Sequence, residues 1–281
     1  MLTQNLIMSD AIVQQVQETA DYLKQQYAGQ PEVAIILGSG LGNFAANITV
    51  EKEVPYTGIP HFHASTVKGH SGKMIFGTLS GKKVVAMAGR FHYYEGYSPQ
   101  DVVFPVRVLK QLGVKTLLLS NAAGGVNPSF KVGDIMLIND HISFHAPNPL
   151  IGKNIEQWGT RFPDMSEPYK KHLIAKAKEI AAANDIEVKE GVYFVVTGPT
   201  FETRAEYKMI HILGADAVGM STVQECIVAN HMGMDVFAAS VITDMGIREE
   251  ENVITHEEVL EAANAAEPRL AKIFTELVAV I

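Results

Sequence analysis

The 281-residue sequence has one cysteine, Cys226, and one tryptophan, Trp158. A lone thiol excludes an internal disulfide and suits a reducing compartment. No run of about 18 apolar residues occurs anywhere, so no helix is expected to span a membrane. The first ten residues, MLTQNLIMSD, carry no basic segment ahead of an apolar one, and the expected location is therefore cytoplasmic. The sequon at Asn47-Ile48-Thr49 is then a chance match. No block of five or more Lys/Arg is present and the net charge is −8, which argues against nucleic acid or an anionic membrane as partner. The phosphate-cradling motif G-x-x-x-x-G-K-[ST] is absent, and Gly38-Ser39-Gly40-Leu41-Gly42 is not the dinucleotide pattern G-x-G-x-x-G. There is also no internal repeat, low-complexity tract or composition break of the kind that marks a linker. A single domain over residues 1–281 is the expectation, and 47% hydrophobic residues are enough for a large core.

What is present reads as α/β. Short apolar, β-branched runs at 33–37, 83–88, 115–120, 134–138, 191–196 and 235–243 alternate with segments of helical period. Helix starts are expected at Ser98, Thr203, Thr222 and Thr255, each a hydroxyl followed three residues later by an acid, with Pro99 after Ser98. The stretch 145–168 is rich in Pro, Gly and Asn and has no period, so a long loop is expected there; loops of that length are commonly functional or disordered.

The residues that follow the apolar runs carry the chemistry. VAIIL leads into Gly38-Ser39-Gly40; VVAMAG leads into Arg90-Phe91-His92; TLLLS leads into Asn121-Ala122-Ala123-Gly124-Gly125; ADAVGM leads into Ser221-Thr222. Ligands of α/β sheets bind beyond the carboxyl ends of strands, so these tips are expected to converge. Hydroxyls, glycine-freed backbone N–H groups, one of only six arginines and a histidine together suit an anion, most simply phosphate. His61, His63 and His70 lack the tight spacing and the cysteine partners of a metal site, and no metal is expected. The chain order Ser221, Asp244, His256 matches that of the α/β-hydrolases. Gly219-Met220-Ser221-Thr222-Val223 lacks the second glycine of the nucleophile elbow, however, so a serine hydrolase is only a poor alternative.

From AIILGSGLG to THEEVLEAA, nearly the whole chain resembles the trimeric purine nucleoside phosphorylases. The resemblance rests on STVKGHSGKMIFG, GRFHYYEGYS, NAAGGVNPSFKVGDIMLINDHISF, GTRFPDMSEPY, GPTFETRAEYKMIHILGADAVGMSTVQE and SVITD, in that order. It implies a single α/β domain with a distorted mixed central β-sheet flanked by helices, a homotrimer, and no metal or organic cofactor. The implied reaction is cleavage of a purine nucleoside by inorganic phosphate, the co-substrate, giving free base and ribose 1-phosphate. By the same resemblance, phosphate is held by Ser39, His70, Arg90, His92, the backbone at Ala122, and Ser221. Tyr94, Phe201, Met220 and His256 contact the nucleoside, and Glu202 accepts from N1–H of a 6-oxopurine. Phe162, in the long loop, enters the site of a neighbouring subunit.

Asp244 departs from that pattern, because the 6-oxopurine-selective branch has asparagine there. Two readings stay open. A protonated Asp244, beside Glu202, donates to N7 of the leaving purine, or Asp244 accepts from a 6-amino group and extends the range to adenosine. The related methylthioadenosine phosphorylases also carry aspartate at this place, but they lack the glutamate that matches Glu202. A purine or phosphate sensor on the same fold would have lost phosphate ligands, whereas Ser39, Arg90, His92 and Ser221 are all present.

Overall fold

The structure is a computed structural model describing residues 2–39, 41–64, 71–247 and 254–281. It is built around a nine-stranded mixed sheet. The strands are β1 (Val33–Leu37), β2 (Thr49–Pro55), β3 (Lys73–Leu79), β4 (Lys82–Ala88), β5 (Thr116–Gly125), β6 (Ile135–Ile142), β7 (Val188–Val195), β8 (Ala217–Gly219) and β9 (Asp235–Met245). The helices are α1 (Leu2–Gln26), α2 (Pro99–Gln111), α3 (Lys171–Ala183), α4 (Arg204–Ile212), α5 (Val223–His231) and α6 (His256–Val280). The expected mixed α/β architecture is what the chain adopts.

The centre of the sheet is parallel. β1 lies between β4 and β5, and β5 pairs in parallel with β9. All five residues of VAIIL in β1 are buried, as befits a strand covered on both faces. Beyond this centre the sheet bends back on itself. β5 meets β8 only at Gly124 and Gly125, β8 pairs with β7, β7 with β6, and β6 returns to β9. This closed circuit of five strands is the distortion, and it gathers the ends of β5, β8 and β9 around one point. Helix α2 packs against α1 and α5, while α6 lies along β9 and against α3.

Two strands, β2 and β3, escape the sequence reading. The charged alternation of β2 hides an edge strand, and β3 joins β4 through a two-residue turn in which Ser80 and Gly81 both have positive φ, the geometry that matches strand twist. β8 is only three residues long. The run expected at 115–120 also proves longer, because the Asn121–Gly125 segment, read from its glycines as a turn, continues as strand against β9. Residues 145–168 form neither helix nor strand, as expected.

The helix starts at Ser98, Thr203 and Thr255 carry the predicted reciprocal caps. Thr222 does not. It precedes α5 but adopts φ 75°, ψ −47° and makes no side-chain cap. The T-x-x-E pattern misleads here because both side chains are engaged in the cleft described next.

Candidate active site

The tips of β1, β4, β5, β8 and β9 open into one cleft of about 690 Å3, counted to its open mouth. Ser39, Arg90, His92, Tyr94, Ala122, Phe201, Glu202, Met220, Ser221, Asp244 and His256 all line it. Eleven of the thirteen residues expected at the site are therefore brought together from segments far apart in the chain. His70 lies outside the described residues. Phe162 does not line the cleft: it stands 85% exposed, with the Arg161 guanidinium 5.3 Å from its ring.

Backbone proximity fixes the floor. Gly38 is followed directly by Ser39, and a Cβ on Gly38 would meet the carbonyl oxygen of Ser120 at 2.6 Å, so only glycine lets β1 end this close to β5. The segment after Ser39 is tied to α6: the buried Glu267 carboxylate accepts from Phe44 N at 2.6 Å and Asn43 Nδ2 at 2.8 Å.

Arg90 is the cationic centre and only 2% exposed. Its Nε donates to Glu225 Oε1 at 3.1 Å, and its Nη1 donates to Ser120 O at 2.7 Å and Ser221 Oγ at 3.3 Å. Glu225, which the sequence suggested was an acid in a helix cap, is thus the buried counter-ion that holds the guanidinium in place. Glu95 engages His92. Its Oε1 accepts from His92 N at 2.8 Å and lies 3.0 Å from His92 Nδ1. Burial pushes the His92 imidazolium down from its ordinary range, so the ring is neutral near pH 7. A neutral ring that donates Nδ1–H to Glu95 has Nε2 as its acceptor. Tyr94 stacks on that ring, centroids 4.7 Å apart.

Ser221 is presented by a strained turn. Val223 N donates to Ser221 O at 2.8 Å, closing a three-residue γ-turn on Thr222, whose positive φ is rare for a β-branched residue. The Thr222 hydroxyl accepts from Asn121 Nδ2 at 2.9 Å and lies 3.1 Å from Ser221 Oγ. No histidine is hydrogen-bonded to Ser221 among the described residues, which removes the support for a serine hydrolase.

At the other end of the cleft are two carboxyl groups. Between Ala123 and Gly124 the β5–β9 register slips: Ala123 pairs with Ile242 and Gly124 with Asp244. Thr243 is therefore a bulge residue, and such bulges re-aim neighbouring side chains. Asp244 comes to lie over Gly124, where a Cβ would approach Oδ2 to 3.0 Å, and Thr243 Oγ1 donates to Asp244 Oδ1 at 3.0 Å. Asp244 is 7% exposed. Glu202 is held above the usual carboxylate range, first by burial and further by the Asp244 charge. His256 is the first residue of α6, directly after the Thr255 cap. Sequence reading places Thr222 at a strand tip and pairs it with Glu225 as a helix cap, but does not foresee Glu225 as the partner of Arg90, and it does not single out Tyr207; these roles arise only on folding.

One end of the cleft, with Arg90, His92 and Ser221, is suited to an anion, and two carboxyl groups, Glu202 and Asp244, stand at the other. Residues 32–279 match the model of the phosphorylase superfamily. The chain is 51% identical to purine nucleoside phosphorylase 1 of Geobacillus stearothermophilus over 88% of its length and 90% of that protein. A structure of Schistosoma mansoni purine nucleoside phosphorylase in complex with adenosine superposes with a TM-score of 0.91 at 42% identity, covering 95% of this chain and 97% of that one. The same enzyme in complex with inosine gives 0.91 at 41%, covering 96% and 97%. The chain belongs to the phosphorylase superfamily, in its purine nucleoside phosphorylase family.

Proposed function

We propose that the protein is a purine nucleoside phosphorylase acting on inosine, guanosine and their 2′-deoxy forms, and on adenosine through Asp244. The observation that carries this reading is the joining of the Arg90–Ser221–His92 anion pocket to the Glu202–Asp244 pair in one cleft. Phosphate is the co-substrate, and the chemistry needs neither organic cofactor nor metal. In the reaction a phosphate oxygen bonds to C1′ as the C1′–N9 bond breaks, with the electron pair leaving on the purine. Attack opposite the base inverts the anomeric centre.

Each residue has a part in that displacement. Arg90, Ser221, Ser39, His70 and the backbone at Ala122 bind the phosphate beneath C1′. Holding it there replaces a bimolecular encounter by an aligned one, worth up to about 7–11 kcal/mol. The neutral His92 accepts the remaining P–OH proton through Nε2, and the phosphate charge stabilises the oxocarbenium-like sugar as it forms. Tyr94 and Met220 hold the ribose, His256 binds its 5′-hydroxyl, and Phe201 covers the base. Glu202 accepts from N1–H of a 6-oxopurine. Asp244, when protonated, donates to N7 as negative charge builds on the imidazole ring; ionised, it accepts from a 6-amino group. The Schistosoma mansoni enzyme, solved with both adenosine and inosine, supports a cleft of this shape receiving either base. A 5′-hydroxyl partner at His256 and the presence of Glu202 favour ordinary nucleosides over methylthioadenosine. We read the protein as a cytoplasmic homotrimer of single-domain subunits, each lending Phe162 to a neighbour.

Base release from inosine, guanosine, adenosine and methylthioadenosine, each with and without phosphate, tests the reading. Phosphate-dependent release of hypoxanthine and guanine is expected; release without phosphate would make water the nucleophile and refute the anion pocket. Asp244→Asn is expected to raise the inosine-to-adenosine ratio of kcat/KM by at least about tenfold, the scale of one exchanged hydrogen bond. An unchanged ratio would show that Asp244 does not set base preference.

A further inference from the structure

A second cleft, sharing no lining residue with the first, opens between α1, the start of α2 and the loop at 149–158, and measures about 1450 Å3 to its open mouth. Its apolar walls include Ile12, Leu150 and Ile155, and Arg107 of α2 lines it. Arg107 is only 6% exposed, and its guanidinium carbon lies 4.3 Å from the centroid of the Trp158 ring. Among the described residues no hydrogen bond or ion pair reaches that guanidinium, and burial, with no opposing carboxylate, pushes it down to about 10, still cationic at neutral pH. The one acid on the lining, Asp101, is committed elsewhere: it caps α2 through Ser98 and lies 3.3 Å from His63 Nε2. A buried charge left with only a ring face for company is costly unless something supplies the anion.

We propose that this cleft binds a small organic monocarboxylate, with its two oxygens on the Arg107 fork and its hydrocarbon body against Ile12, Leu150 and Ile155. A single planar guanidinium matches a carboxylate in a two-point pairing. Asp101, Lys153 and His231 share the lining with Arg107, so the preference for a carboxylate over an inorganic dianion rests on the apolar walls, which phosphate cannot use. Apolar walls beside a charged group that can orient a ligand are the makings of a small-molecule site. The proposal stands independently of the phosphorylase reading, since no residue of that cleft takes part.

Trp158 is the only tryptophan and touches Arg107, so intrinsic fluorescence reports on this cleft alone. Titration with hexanoate is expected to change it saturably, while hexanol at the same concentrations does not. Arg107→Gln is expected to weaken the hexanoate response roughly tenfold or more, as one charge-assisted pair is lost, with phosphorolysis of inosine unchanged. Should that variant fail to fold, Arg107→Lys, which keeps the charge and loses the fork, is expected to weaken hexanoate as well. Equal responses to hexanol and hexanoate, or a response that survives in the variants, would overturn the proposal. So would sulfate reproducing the response, which would indicate an inorganic-anion site. A response that appears only on dilution to dissociated chains would place a second copy of the chain over the cleft and overturn it equally.

Discussion

Glu202 shows at the scale of one residue how function works against stability. Its carboxyl is held above the ordinary value of 4.5 by burial and by Asp244. The folded state therefore binds its proton more tightly than the unfolded state does. The resulting penalty is absent below about pH 4.5, grows as pH rises through the interval up to the raised folded value, and is complete above it. Glu202→Gln removes that titration. The variant is expected to melt higher than the parent at about pH 7.5, to show little difference at about pH 4, and to lose kcat/KM on inosine. Equal melting differences at both pH values would show that the carboxyl is not perturbed by its surroundings. The identity of Glu202 as a site residue was legible from its motif. That its protonation is perturbed was not, because burial in the cleft, with Asp244 arriving from β9, is decided only by folding.

Secondary-structure elements carry the site by their ends, and α5 does so under strain. A threonine at positive φ persists only when its surroundings over-determine it, and here the Thr222 hydroxyl is held by Asn121 and borders Ser221. If the turn serves to aim Ser221 at phosphate, Thr222→Ser, which keeps the hydroxyl, is expected to leave KM for phosphate within about twofold. Thr222→Ala, which loses it, should raise that KM on the order of tenfold. Equal effects of the two variants would assign the strain to packing. The caps at Ser98, Thr203 and Thr255 were readable because donor and acceptor lie three residues apart. The same pattern failed at Thr222 because Glu225 pairs with Arg90, 135 residues away in sequence. A local motif is decisive only where no distant partner competes for its side chains.

At the scale of the whole molecule, Phe162 is the residue that one chain leaves without a purpose. A phenylalanine 85% exposed in a loop without regular structure adds nothing to its own core; in the proposed trimer it completes a neighbour's cleft. Phe162→Ala is expected to leave the stability of the fold within about 1 kcal/mol of the parent's, while raising KM for inosine. Specific activity of the parent is expected to fall on dilution below the assembly concentration. A variant with unchanged KM would mean that each subunit completes its own site.

The sequence by itself determined the α/β alternation, three of the helix caps, the long loop and most of the residues that line the cleft. The alternation, the caps, the loop and the strand-tip residues rest on spacing and residue type within short segments, where the chemistry is local; the other cleft residues follow from the family resemblance. Tertiary structure decided what those residues do to one another. The β5–β9 pairing continues through glycines that looked like a turn, and its bulge turns Asp244 towards Glu202. The packing of α5 and α2 brings Glu225 to Arg90 and leaves Arg107 beside Trp158 without an acid. Each of these outcomes depends on which segments fold together, and contacts between segments distant in sequence leave no periodic trace in the chain.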